Sequence, residues 1–385
     1  MRKSAYVNGD IYTGDRVYAD HAILIDGKTI AGIVPSSEIP SDYEAVDVGG
    51  LNIAPGFIDL QVNGGNDVLF NDNPIKSTIE RIRDGHRKFG TTSILPTFIT
   101  DKIDKMKQAR EAVEECLTES TQGILGIHFE GPLISADKAG VHDPSLIIDF
   151  VSHELDELLH VPVDGRVLFT LAPEQVELGY INKLRERGVL IACGHSSANK
   201  EQVHKAIDAG ISLGTHVFNA MTTLSSRDPG VTGTLLADDR VTCSFICDGF
   251  HVDFDVLKIA FASKPRGKAI LVTDAMPPVG GTKQTFPLGP YKISIAENGR
   301  CSTSDGVLAG SGLDMATAVR NAMQKVGIPK DEALRMASTY PAIYLGISDT
   351  IGYLKPGYKA DLVLFDNEIY VQAVVCSGEQ IKVAR

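Results

Sequence analysis

The 385-residue sequence lacks the usual marks of secreted and membrane proteins. Its six cysteines form no CxxC pair, and Cys243 and Cys247 share a strand-like run that indicates packing rather than zinc binding. No apolar run approaches the roughly 20 residues that span a bilayer. The N-terminal segment MRKSAYVNGDIYTG contains no apolar core of a signal peptide. We therefore expect reduced thiols, a cytoplasmic location and no membrane partner.

Positive charge is also scarce. Lysine and arginine number 37 against 49 aspartates and glutamates, so the formal net charge is −12. This balance argues against nucleic acid as a main partner. It does not exclude an anionic small substrate, because a few local cations can outweigh a diffuse negative surface.

No GxGxxG follows a strand-like run, which disfavours an open doubly wound sheet that binds a dinucleotide. In the middle of the chain, apolar runs alternate instead with amphipathic helical stretches, at the spacing of an α/β protein with a (β/α)8 TIM-like barrel. The eight predicted strands are Ile53–Val62, Thr92–Ile99, Ile124–Glu130, Val167–Ala172, Leu190–Cys193, Ile211–Val217, Val241–Cys247 and Ile270–Thr273. The predicted helices include Lys76–Phe89, Lys102–Leu117, Pro173–Arg187 and Asp253–Ala262.

The two ends of the chain differ from this middle. Alternating apolar positions separated by Asn-Gly, Asp-Gly and Gly-Gly pairs predict short strands in residues 1–52. The same pattern returns in residues 350–385. We therefore expect one small β-sandwich domain formed by both chain termini, with the barrel of residues 53–349 inserted between them.

The stretch from Leu190 to Met221 predicts a strand, a helix and a strand, and each strand ends in a turn that carries one histidine, His195 or His216. Because parallel strands of a βαβ unit point the same way, both imidazoles should reach one edge of the sheet. Glu130, at the end of the third strand, adds a carboxylate. This set suits catalytic zinc and leaves a position for water, and iron or manganese fits it equally. A lone histidine here is more often a core or loop residue, but the coincidence across strand ends favours a metal.

Other chemically capable residues follow barrel strands, where barrel enzymes carry their functional groups. Asp274, directly after the eighth strand, could take a proton from water and return it to a leaving amine, or could simply cap the next loop. His142 lies in a loop marked by glycine and proline, and either donates to a substrate carbonyl or is exposed to solvent. Arg227 and His251 are candidate anion ligands, although a surface salt bridge explains Arg227 as well.

Several of these segments resemble known ones. HFEGP (128–132), GHSSAN (194–199), THVFNAM (215–221), DGFHVD (248–253), VTDA (272–275) and LAGSGL (308–313) resemble the N-acetylglucosamine-6-phosphate deacetylase family. PGFIDLQVNG (55–64) and GYLKPGYKADLVLFD (352–366) resemble the wider amidohydrolase superfamily. The resemblance covers nearly the whole chain in the expected order.

The resemblance implies hydrolysis of N-acetylglucosamine 6-phosphate to glucosamine 6-phosphate and acetate, in amino-sugar catabolism and cell-wall sugar recycling. It implies that Glu130, His195 and His216 bind a divalent metal, that Asp274 is the acid/base and that His142 polarises the acetyl carbonyl. It also implies a homodimer in which Arg227 reaches the neighbouring subunit's phosphate. The substrate contacts implied for this sequence are Val141, His142, Asn219, Ala220, Arg227, Asp248, His251, Leu308, Ala309 and Gly310.

The chain departs from many amidohydrolases at the end of the first strand, where a His-x-His pair would hold a second metal. Gln61 and Asn63 stand there, and neutral amides are poor ligands for transition metals. We therefore expect one ion per subunit, zinc first and iron or manganese as alternatives, with Gln61 near it through a water.

Three other functions stay open from the sequence. One is a cyclic-amide hydrolase or deaminase of the same superfamily. Another is a deacetylase for a related N-acetylhexosamine phosphate. The third, a non-catalytic sugar-phosphate sensor, is disfavoured because the catalytic residue types are all in place.

Overall fold

The computed structural model describes residues 3–149 and 152–382. The chain divides into two compact units, one formed by Met1–Asp59, His86–Ser93 and Asp314–Arg385, the other by Leu60–Gly85 and Ile94–Leu313. The strands are β1 (Lys3–Val7), β2 (Ile11–Tyr12), β3 (Val17–Tyr18), β4 (His21–Asp26), β5 (Thr29–Pro35), β6 (Glu44–Asp47), β7 (Asn52–Pro55), β8 (Phe57–Val62), β9 (Gly64–Gly65), β10 (Val68–Leu69), β11 (Thr91–Ile99), β12 (Gly126–Glu130), β13 (Arg166–Leu171), β14 (Leu190–Cys193), β15 (Ile211–Gly214), β16 (Thr242–Ile246), β17 (Ala269–Val272), β18 (Thr285–Leu288), β19 (Tyr291–Ile295), β20 (Cys301–Ser302), β21 (Leu362–Phe365), β22 (Val371–Cys376) and β23 (Glu379–Lys382).

The α-helices are α1 (Lys76–Arg87), α2 (Ile103–Thr118), α3 (Ser152–Leu158), α4 (Leu178–Glu186), α5 (Lys200–Ala209), α6 (Gly230–Ala237), α7 (Phe254–Ser263), α8 (Met315–Asn321), α9 (Lys330–Ala337) and α10 (Thr339–Tyr344). Short 3₁₀ turns are Ser36–Glu38, Ala136–Lys138, Pro144–Leu146 and Pro173–Gln175, and a π-helical turn spans Ala322–Val326. Within the described ranges, no helix is both long enough and apolar enough to span a membrane.

Eight parallel strands form the barrel sheet, in the order β17-β16-β15-β14-β13-β12-β11-β8. The strands are short apolar runs, and every residue of β11 and β12 is buried, as expected for a parallel sheet covered on both faces. The ends of β8 and β17 meet through a parallel bridge between Val62 and Ala275, and the amide of Asp274 donates to the carbonyl of Gln61 at 2.9 Å. The predicted (β/α)8 barrel is confirmed.

Helix α5 explains how β14 and β15 come to end at the same edge. Asn199 caps the helix by accepting from the amide of Gln202, whose side chain accepts in return from the amide of Asn199. At the other end Gly210 has φ of +145°, which lets the chain turn directly into β15. The predicted strand–helix–strand unit is confirmed, and His195 and His216 each follow one of its strands.

The predicted first strand, Ile53–Val62, is in fact two strands. β7 pairs with β21 and β2 in a separate sheet, and only β8 belongs to the barrel. Gly56 lies between them, at a position where a Cβ would lie 2.1 Å from Oγ1 of Thr92. Every residue of β7 and β8 is buried, so the hydrophobic pattern of the sequence runs through Gly56 without showing that the strand ends there.

Besides the barrel sheet, there are two sheets in the first unit, in the orders β5-β4-β1-β6 and β23-β22-β21-β7-β2-β3. The second of these joins strands from both ends of the chain. Apolar side chains from both sheets pack in one core, among them Ile23 and Ile25 of β4 with Ile53 of β7 and Leu362 of β21. The predicted β sandwich is confirmed, whereas the boundaries 1–52, 53–349 and 350–385 stay a prediction.

Lys264, after α7, has a buried amine whose contacts give a stability prediction. The side chain is 7% exposed, and Nζ donates to the carbonyls of Leu235 at 3.1 Å and Asp238 at 2.7 Å, at the end of α6. Lys264→Met should lower the free energy of unfolding by about 1–3 kcal/mol, because it removes a buried charged donor that bonds two carbonyls at the end of α6. Urea denaturation measures this change.

The exposed Lys258 on α7 provides the control. Lys258→Met should change the free energy of unfolding by no more than about 0.5 kcal/mol. Equal losses for the two variants would contradict the capping role of Lys264.

Candidate active site

A cavity of about 380 Å³ opens at the carboxyl ends of the barrel strands. Its polar wall includes groups at the strand ends. Glu130 is the last residue of β12, and His195, His216 and Asp274 lie two residues after β14, β15 and β17. The cavity is lined by Asn63, Ile99, Glu130, Asp137, Lys138, Gly140, Val141, His142, His195, His216, Asn219, Ala220, His251, Asp274, Met276, Val307, Leu308 and Gly310.

Three ligand atoms converge in this wall. Oε1 of Glu130 lies 3.0 Å from Nε2 of His195 and 2.8 Å from Nε2 of His216, and the two Nε2 atoms are 3.2 Å apart. Atoms bound to one tetrahedral zinc at roughly 2.0–2.2 Å lie about 3.3 Å from each other. Within the described chain, these three side chains form a group whose spacing suits a metal ion.

The electrostatics of the group also call for a cation. Nδ1 of His195 lies 2.8 Å from the carbonyl of Lys138, which can only accept, so Nδ1 donates there and Nε2 is the nitrogen directed at Oε1 of Glu130. Burial alone would raise the pKa of Glu130, but the hydrogen bonds with His195 and His216 hold it well below its usual range. The donor set therefore fits a divalent cation.

Asp274 lies beside this group, bound by two side-chain amides. Nδ2 of Asn63 donates to Oδ1 of Asp274 at 2.6 Å, and Nε2 of Gln61 donates to the same oxygen at 3.2 Å. Nε2 of Gln61 also lies 3.2 Å from Oε2 of Glu130. Burial, together with the negative charge of Glu130, raises the pKa of Asp274 to about 6. A carboxyl with this pKa can both accept and return a proton near neutrality.

His142 lies on the other side of the histidine pair, with its ring centroid 4.5 Å from that of His195. Burial and the charge of His195 lower the pKa of His142 to about 3, so its ring is neutral at pH 7. Oγ1 of Thr100 lies 2.8 Å from Nδ1 of His142. The one proton of this hydroxyl can go to the backbone carbonyl of Glu130, 3.3 Å away, or to Nδ1 of His142. In the second arrangement Nε2 carries the ring proton and can donate to a ligand.

Comparison with known proteins assigns the chain to a family. The Amidohydrolase family matches residues 52–287 and 290–381, and the NagA composite domain matches residues 5–53. The N-acetylglucosamine-6-phosphate deacetylase of Haemophilus influenzae is 35% identical over 381 residues, which cover 98% of this chain and 99% of that protein. The chain belongs to the amidohydrolase family. The N-acetylgalactosamine-6-phosphate deacetylase of a Shewanella species is 40% identical over 361 residues, covering 93% of this chain and 91% of that protein.

Solved structures of family members have the same fold as this amidohydrolase. N-acetylglucosamine-6-phosphate deacetylase from Pasteurella multocida gives a TM-score of 0.95 at 36% identity, covering 99% of this chain and 100% of that one. The Mycobacterium smegmatis deacetylase, solved as a mutant in complex with N-acetyl-D-glucosamine-6-phosphate, gives 0.90 at 28% identity, covering 99% of each. The family is metal-dependent, in accord with the group formed by Glu130, His195 and His216.

The substrate contacts predicted for this amidohydrolase divide into two groups. Those that line the cavity are Val141, His142, Asn219, Ala220, His251, Leu308 and Gly310. The other three do not line it in the described structure. Asp248 accepts from Nδ1 of His251 at 2.7 Å, Ala309 is fully buried in an apolar cluster, and Arg227 is exposed in the loop after β15.

Sequence reasoning missed several parts of the cavity wall. Lys138 holds His195 through a backbone carbonyl, a contact that does not depend on residue identity. Asn63 is noted from the sequence only as a poor metal ligand, yet it contacts Asp274. Met276 could have been found from its position two residues after Asp274.

Gly310 gives a prediction for this amidohydrolase. Its φ is +55°, and a Cβ there would lie 2.9 Å from the carbonyl oxygen of Asp274 and 2.6 Å from Cε of Met276. Gly310→Ala should therefore displace Asp274 and lower kcat/KM about 10–100-fold. Steady-state kinetics of acetate release measures the effect.

Gly289 is a matched control, because its φ is +54° and nothing lies within 4 Å of its Cβ position. Gly289→Ala should cause similar backbone strain, about 1–2 kcal/mol, and leave kcat/KM unchanged. A similar kinetic loss in both variants would show that strain alone is responsible.

Proposed function

We propose that the protein hydrolyses the N-acetyl amide of N-acetylglucosamine 6-phosphate, giving glucosamine 6-phosphate and acetate, in amino-sugar catabolism and cell-wall sugar recycling. The observation that carries the proposal is the convergence of Glu130, His195 and His216 beside Asp274 in one cavity. Relatives that match nearly the full chain carry this activity in their names.

One divalent ion, zinc first and iron or manganese as alternatives, would be held by Glu130, His195 and His216, with Gln61 near it through a water. Such an ion, when bound, polarises the amide carbonyl and lowers the pKa of water. The Glu130 carboxylate would contribute one negative charge to the ion, and its Oε1 contacts Nε2 of both His195 and His216.

Asp274 would take the proton of the attacking water and deliver it to the amine that leaves. Its pKa of about 6 supports both steps, because neither protonation state is strongly disfavoured near neutrality. His142, neutral at that pH, would donate from Nε2 to the acetyl oxygen as negative charge develops there.

For the phosphate we propose His251 from the same chain and Arg227 from the second subunit of a homodimer. His251 lines the cavity, and because its Nδ1 proton is held by Asp248, Nε2 faces away from that carboxylate. Arg227 is exposed and does not line the cavity of its own chain, which suits a role in a neighbour. Val141, Asn219, Ala220, Leu308 and Gly310 would contact the sugar and its acetyl group, with Asp248 and Ala309 behind them.

The test is acetate release by purified, metal-analysed protein from N-acetylglucosamine 6-phosphate, its galacto epimer and unphosphorylated N-acetylglucosamine. We expect the first substrate to have the highest kcat/KM and the unphosphorylated sugar to lose at least about 10²-fold, because charge-assisted contacts to phosphate are lost. Preference for the galacto epimer would favour the activity named for the Shewanella relative. Absence of acetate release from all three would contradict the proposal.

A further inference from the structure

Asn63 is buried at the cavity wall, 1% exposed, and its polar atoms are unequally satisfied. Nδ2 donates to Oδ1 of Asp274 at 2.6 Å, whereas Oδ1 of Asn63 has no hydrogen-bond partner in the described structure. A buried acceptor without a donor costs about 1–3 kcal/mol. Packing therefore does not explain an amide at this position, and its contact with Asp274 does.

The same carboxylate oxygen accepts from a second side-chain amide, and a backbone hydrogen bond also holds Asp274. Nε2 of Gln61 donates to Oδ1 of Asp274 at 3.2 Å but is shared with both oxygens of Glu130, at 3.3 and 3.2 Å. The backbone amide of Asp274 donates to the carbonyl of Gln61 at 2.9 Å. The hydrogen bond from Asn63 to Oδ1 of Asp274 is therefore the shorter of the two, and its donor atom is not shared with Glu130.

These contacts leave the two oxygens of Asp274 different. Oδ1 accepts from two amides, whereas Oδ2 has no protein donor among the described residues. Rotation of the carboxyl would break both bonds, so Oδ2 is the oxygen that stays available for proton transfer. The amide donors also stabilise the charged carboxylate beside the negative charge of Glu130.

We propose that Asn63 is a positioning residue that fixes Oδ1 of Asp274, so that Oδ2 performs the proton transfers. This inference rests on the proposed amide hydrolysis. Asn63 acts through Asp274 and not on the metal group, because its one side-chain hydrogen bond among the described residues goes to Asp274.

The first test is Asn63→Ala. We expect kcat for N-acetylglucosamine 6-phosphate to fall about 10–100-fold, with KM within about threefold and the metal content per chain unchanged. The free energy of unfolding should change by no more than about 1–2 kcal/mol, because loss of the donor to the buried Asp274 carboxylate is partly offset by removal of an unsatisfied buried acceptor. Asn63→Asp keeps the shape but replaces the donor by an acceptor, and should lose at least as much kcat.

Asn52 provides a matched control in the other unit. It is also buried, 3% exposed, and donates from Nδ2 to the carbonyl of Phe365 at 3.3 Å. Asn52→Ala should lower the free energy of unfolding and leave kcat unchanged. A drop in kcat for both variants in proportion to lost stability would contradict a specific role for Asn63.

A double-mutant cycle provides the decisive measurement. In an Asp274→Asn background, Asn63→Ala should reduce the residual kcat by less than about twofold, since the group it positions is gone. A further loss as large as in the wild type would overturn the inference, as would an Asn63→Ala enzyme that keeps more than half of its kcat. Wild-type protein that releases no acetate would instead contradict the proposed function.

Discussion

Asp274→Asn is expected to lower kcat by about 10²–10⁴-fold. The asparagine side chain has nearly the same size as the aspartate but cannot accept the proton of the attacking water or return it to the amine. KM and the bound metal should change little, because Asp274 lies beside the three converging ligand atoms and is not one of them. Acetate release under single-turnover conditions, with metal analysis of the same sample, measures both quantities.

Asp208, on α5, provides the control for that variant, because it is exposed and its ion pair with Arg240, at 2.8 Å, lies on the surface. Asp208→Asn should leave kcat unchanged. Near-normal turnover by Asp274→Asn would contradict the acid/base role proposed for Asp274, whatever the metal content.

Glu130→Gln is expected to lose the metal and about 10³-fold or more of the turnover. The substitution removes the one negative charge that faces both imidazoles, and a neutral amide is a poor ligand. Loss of the ion also removes several kcal/mol of transition-state stabilisation. Metal per chain after dialysis and kcat before and after adding zinc, iron or manganese measure the effect.

For the wild type, a chelator should abolish turnover, and the ion that restores most of it identifies the functional metal. Glu201→Gln, at an exposed position on α5, should behave like the wild type in every assay. A Glu130→Gln protein that retains both metal and turnover would contradict the assignment of Glu130 as a ligand.

Local pattern predicted much of this site, because its candidate metal ligands end or follow strands whose apolar runs are plain in the sequence. His195 and His216 flank one βαβ unit, so the chain direction alone brings them to one edge. The contact between Asn63 and Asp274 joins residues 211 positions apart across the closure of the barrel, and no local spacing encodes it. The contacts of Arg227 could not be predicted from local pattern for a different reason, because its proposed partner lies in another chain.

The backbone at three of the site positions has a consequence for evolution. His195, His216 and Asp274 have φ values of +49°, +31° and +51°, which L-residues disfavour by roughly 1–2 kcal/mol each. Glycine at any of them would relieve that strain while removing the functional side chain. Variants selected only for thermal stability should therefore accumulate glycine at these three positions. Selection for growth on the substrate would be needed to keep the two histidines and the aspartate.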